Sequence, residues 1–98
     1  MLREHTRTYF LGKLARELEV RGLACALRPS PPSLRVSDPE TLMFSEIVDC
    51  VAMADGWVYR WSWGDVLSSA EDPAAAAERI VKVFTSGTPH PLANQDDL

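Results

Sequence analysis

The sequence predicts an α+β fold: a two-layer sandwich of a helix, a four-stranded antiparallel meander and a second helix, with both helices on one sheet face. Three observations predict it. Apolar residues recur at helical spacing near each end of the chain. Between those segments they alternate with period two. An Asp-Gly pair sits between two of the alternating runs. With 98 residues, 46% of them apolar and 24% charged, the chain has globular composition and room for one domain. We expect that domain over 1–87 and a disordered tail over 88–98, where prolines, amides and acids show no periodicity.

The first helix is carried by Phe10, Leu11, Leu14 and Leu18, which share one face, with Lys13, Arg16 and Glu19 outside it. Extending it backwards would put Arg7 in the apolar stripe, so the expected start is Thr6 or Thr8, either of which can cap it. Gly22 follows as a left-handed C′ residue, and Leu23 at C″ would set against Leu18 in a Schellman motif. Leu23 to Arg28 alternates as a half-buried strand. Pro29-Ser30-Pro31-Pro32 reads as a turn, because proline donates nothing to a ladder. Ser33 to Ser37 is a second short strand, broken by Asp38-Pro39-Glu40.

Phe44 to Trp63 is a hairpin about Asp55-Gly56, the preferred type I′ pair. A two-residue loop there pairs Ala54 with Trp57, Ala52 with Tyr59, Cys50 with Trp61 and Val48 with Trp63. Small residues then oppose large rings on one face. The other face carries Ile47, Asp49, Val51 and Met53 against Gly64, Ser62, Arg60 and Val58, with Asp49 diagonal to Arg60. Gly64-Asp65 ends the last strand. Asp72 as N-cap and Pro73 as first helical residue open the second helix. Its stripe is Ala76, Ala77, Ile80, Val83 and Phe84, and Glu78 and Lys82 form an i, i+4 pair on the outside. Thr85-Ser86-Gly87 ends it.

Composition excludes several classes. No apolar run approaches the roughly 20 residues of a membrane-spanning helix. Arg3, Glu4, His5 and Arg7 interrupt the first ten residues, so they do not read as a signal peptide. The expected setting is cytoplasmic, with Cys25 and Cys50 as reduced thiols. Arg greatly outnumbers Lys, and with the Ala74–Ala77 run this points to a high-GC bacterial gene. The net charge of -4 is uneven. Residues 1–36 hold seven Lys/Arg against three Asp/Glu, and residues 37–98 hold three against eleven. An acidic total argues against nucleic acid as the main partner. The two segments are expected to attract each other within the fold or across a dimer.

Trp57, Tyr59, Trp61 and Trp63 could stack a ligand on one sheet face, but large rings under helices rich in Ala and Leu read first as core. The opposite face would leave Ile47, Val51, Met53 and Val58 in water, together with Ala24 and Ala26. A contiguous apolar patch of that kind suits association. Catalysis has little to stand on. His5 and His90 lie near opposite termini with no nucleophile beside them, and the cysteine spacing is not that of a metal site. Glu46, Asp49 and Asp65 are expected as solvated acids near a sheet end, and the glycines are too scattered for a phosphate loop.

Gly56-Trp57, Trp61-Ser62-Trp63-Gly64 and Asp72-Pro73-Ala74-Ala75-Ala76 with Ile80 resemble the C-terminal half of small uncharacterised actinobacterial proteins. In that group a Trp-rich strand ends in Trp-Gly and a DP-initiated, Ala-rich helix follows. In element order alone, helix–meander–helix is also similar to part of the type III secretion chaperone-like proteins. Neither resemblance implies an activity, a cofactor or a site residue. The expectation is a non-catalytic cytoplasmic interaction module that binds protein and self-associates as a homodimer through Ile47, Val51, Met53, Val58 and Arg60. It needs no cofactor, metal or membrane. The alternative is a small-ligand binder with a pocket between the helices and Tyr59, Trp61 and Trp63. An enzyme with an unrecognised site is the third reading.

Overall fold

A computed structural model describes residues 2–40 and 45–86 of the chain. The order is α1 (Leu2–Val20), β1 (Ala24–Pro29), β2 (Pro32–Ser37), β3 (Ser45–Met53), β4 (Gly56–Trp61), β5 (Val66–Ser69) and α2 (Pro73–Ser86). The strands form one antiparallel sheet in chain order β1-β2-β3-β4-β5, so the meander has five strands where four were expected. The expected tail over 88–98, the Phe44 strand start and the Gly87 helix stop lie outside the described residues.

Both helices pack on the sheet and on each other. Leu11, Leu14 and Leu18 of α1 and Ala76, Ala77 and Ile80 of α2 are wholly buried. They meet Leu34, Val36, Val48, Cys50, Tyr59, Trp61 and Leu67 from the sheet in one core. The α1 stop has both bonds of the Schellman motif. Leu23 N–H donates to the Leu18 carbonyl at 3.1 Å and Gly22 N–H to Glu19 at 3.1 Å, with Gly22 at φ 96°. The α2 start is capped as expected, with Ala75 N–H donating to Asp72 Oδ1 at 3.2 Å. Glu40 N–H donates to Asp38 Oδ1 at 2.9 Å in the turn that ends β2.

The α1 start differs from expectation. The helix begins at Leu2 and carries Arg7 in line with Leu11 and Leu14. The fold accommodates the charge by laying the Arg7 guanidinium over the half-buried Trp57 ring, 5.9 Å from its centroid. Proline also sits closer to the ladder than expected: Pro29 ends β1 opposite Pro32, which starts β2, and only Ser30 and Pro31 turn. Pro29 is tolerable there because β1 is an edge strand.

The β3–β4 hairpin is shifted by two residues. Ala54 and Asp55 form the loop and Gly56 opens β4 at φ 132°. The pairs are therefore Met53–Gly56, Ala52–Trp57, Val51–Val58, Cys50–Tyr59, Asp49–Arg60 and Val48–Trp61. A shift of two preserves which face each side chain takes, so small residues still oppose large rings. Trp63 no longer faces Val48. It lies in the turn after β4, half-buried and stacked on Trp61 with centroids 4.8 Å apart, and donates to Asp65 Oδ2 at 3.2 Å. That turn leads into β5, which pairs with β4 through a bulge between Tyr59 and Arg60.

Candidate functional site: the open sheet face

The helices cover the face that carries Tyr59 and Trp61, and the pairing fixes what lies on the other. Across it, Ala26, Arg35 and Ile47 form one row. Asp49, Arg60 and Val66 form the next, and Val51, Val58 and Ser69 a third, with Met53 and Gly56 at the end. Ala24 also lies on this face and is exposed. Met53 is 51% exposed and Val66 45%, whereas Ile47, Val51 and Val58 are half-buried by their neighbours. Ile47, Val51, Met53, Val58 and Arg60 thus share the face expected of them. Val66 joins them only because β5 exists.

At the centre of this apolar field lies an ion pair. Arg60 Nε and Nη2 donate to Asp49 Oδ1 and Oδ2 at 3.2 and 3.3 Å. The two residues are directly opposite rather than diagonal, a consequence of the shifted hairpin. Both side chains stay part-exposed, at 35% and 29%, so the pair keeps contact with water. Elsewhere, Glu78 pairs with Arg21 at 3.9 Å rather than with Lys82, and this bridge joins the basic first third to the acidic remainder. Arg21 also bonds Glu17 within α1 at 2.7 Å.

The aromatic side of β4 is packed as core. Tyr59 is 0% exposed and its hydroxyl donates to the Phe10 carbonyl at 2.7 Å. Trp61 is 4% exposed and stacked on Trp63. A cleft of about 590 Å³ lies at the β1–β2 turn, between Leu27 and Ser33. A second, of about 300 Å³, lies between Arg21, Asp38, Val81 and Phe84. Neither is walled by β4.

Glu46, Asp49 and Asp65 do not gather into one site. Asp49 is taken by Arg60 on the open face, Asp65 accepts from Trp63, and Glu46 takes the helix-side parity opposite Val36. Among the described residues no group of three or more His, Cys, Asp or Glu could hold a metal ion. His5 is exposed on α1, and His90 lies outside the described residues. Cys25 and Cys50 are free thiols. Burial pushes each up to about 12. Glu19 adds to the effect at Cys25. At Cys50, Arg7 opposes it and Asp49 reinforces it. Neither is therefore an activated nucleophile. In the folded protein at pH 8, Cys50 should be silent to a thiol reagent, and after denaturation without reductant both cysteines should react. Reactivity that returned only after reduction would mean a disulfide.

Among the described residues no helix is long and apolar enough to cross a membrane. In comparisons with known proteins, the chain matches no family model, no curated protein and no solved structure.

Proposed function

We propose that the chain is a non-catalytic interaction module that acts as a homodimer through the open face of its sheet. One observation carries this reading: Ile47, Val51, Met53, Val58 and Val66 lie together on a sheet face that neither helix covers. Taking a fully exposed side chain of this kind out of water is worth roughly 1.5–3 kcal/mol. Part of that gain remains open at each of the five, more at Met53 and Val66 than at the half-buried Ile47, Val51 and Val58, and a second copy supplies the missing layer. The reading extends to a cytoplasmic setting, supported by the free thiols, and to kinship with the small actinobacterial proteins, supported by the Trp61–Gly64 strand end and the Asp72-Pro73 helix start. A ligand pocket between the helices and Tyr59, Trp61 and Trp63 has less support, because Tyr59 spends its hydroxyl on Phe10.

Sedimentation at micromolar concentration tests the proposal. The expected wild-type species is a dimer. Val51→Lys combined with Val58→Lys should give a folded monomer, since both positions lie on the open face away from the helices and four like charges would then meet between copies. A wild-type monomer, or a dimer that survives the double substitution, refutes the open-face interface.

A further inference from the structure

Resting on that open-face reading, the geometry points to one docking arrangement: a second copy stacks face to face about a two-fold axis along the strands, between β3 and β4. Each Asp49–Arg60 pair then lies over the partner's Arg60–Asp49 pair.

The argument starts from the rows. An axis along the strands between β3 and β4 lays β3 of one copy over β4 of the other, and β2 over β5. Each open-face side chain then meets a copy of its own cross-strand neighbour. Met53 meets Gly56, Val51 meets Val58 and Asp49 meets Arg60. Ile47, whose carbonyl accepts from Ser62 N–H at 2.9 Å, meets Ser62. One position beyond the Leu34–Val48 pair, Ser33 stands beside Asp49, so it meets Val66 on the far side of Arg60. Met53 and Ile47 meet small residues, the two valines match in size, and Asp49 and Arg60 each meet the opposite charge. Packed sheets cross within about 30° of parallel, so these matches hold near the centre of the contact, where the ion pair sits.

The charges reject the simple alternatives. An axis along β3 stacks Asp49 on Asp49, and one along β4 stacks Arg60 on Arg60. An in-plane axis across the strands at that row does both. Each leaves like charges facing one another in a contact that excludes water, which costs heavily. Only the axis between β3 and β4 closes four alternating charges, so the pair that interrupts the apolar field sets the orientation.

The test exchanges charges. Asp49→Arg and Arg60→Asp, made separately, place four like charges at the axis, and each should lose roughly 100-fold or more in self-affinity. Mixed in equal amounts, the two variants should form a heterodimer, read by native mass spectrometry. The double variant with both substitutions should dimerise like wild type. Single variants that self-associate normally, or that fail to combine when mixed, overturn the arrangement. Should the single variants not fold, isotope-filtered NOEs on mixed labelled and unlabelled wild-type protein decide the matter. Val51–Val58 and Met53–Gly56 contacts between copies support the axis, and their absence from a wild-type dimer refutes it. A wild-type monomer by sedimentation removes the open-face interface itself, an outcome separate from any of these.

Discussion

Trp61→Ala lowers the unfolding free energy by about 3–5 kcal/mol, a large share of the roughly 5–15 kcal/mol that holds a domain of this size. The indole is 4% exposed, lies opposite Val48 in the pairing of β3 with β4, and stacks on Trp63 at a 9° interplanar angle. Truncation removes its apolar contacts and opens a cavity beneath the helices, which a sheet strand cannot collapse to fill. Trp61→Phe, which keeps a ring in place, should lose much less. Trp63→Ala should also cost less, because Trp63 is already half-exposed in the turn after β4. Urea unfolding measures all three. A Trp61→Ala protein with the wild-type midpoint would mean that the ring is not part of the core.

Raising the pH produces the second large effect. Burial holds the Cys50 thiol at about 12 in the folded protein, against an ordinary value of 9.0. The unfolded chain therefore loses this proton first. Stability linked to Cys50 is fully present below pH 9 and is lost as pH rises towards 12, by a little over about 1 kcal/mol per pH unit. Cys25 behaves in the same direction, raised by burial and by Glu19. The buried Tyr59 hydroxyl is raised as well, first by burial and then by Cys50, Glu17 and Tyr9. The urea midpoint should be flat up to about pH 9 and then fall steeply. Cys50→Ala should start lower and fall less steeply, and the difference in slope isolates this thiol. Identical slopes in the two proteins would show that Cys50 is not shielded as its burial implies.

Local signals were legible where the physics is local. Gly22 after Leu18 and Asp72 before Pro73 each name a helix end through hydrogen bonds formed within a few residues. Strand parity was legible too, and with it the shared face of Ile47, Val51, Met53, Val58 and Arg60. The register was not. Ala54, Ala52, Cys50 and Val48 are all small and Trp57, Tyr59, Trp61 and Trp63 are all large, so a slip of two satisfies the same volume rule. The strand Val66–Ser69 is too short and too rich in serine to announce itself, and Val66 was lost with it. The true start of α1 depends on Arg7 finding Trp57, fifty residues away in sequence, which no local rule can supply.

The contact between α1 and α2 sets an order of events during synthesis. The leucine stripe of α1 is made first, and its lateral cover, Ala76, Ala77, Ile80 and Phe84, is made after the whole meander. Every strand in the sheet finds its partner in the segment just synthesised, at small entropic cost. The helix pair must instead close a loop spanning most of the domain. Until the ribosome has released α2, Leu11, Leu14 and Leu18 have the sheet on one side and nothing on the other. A chain halted before Pro73 thus keeps one flank of that stripe open to chaperones and to aggregation even when its sheet is complete.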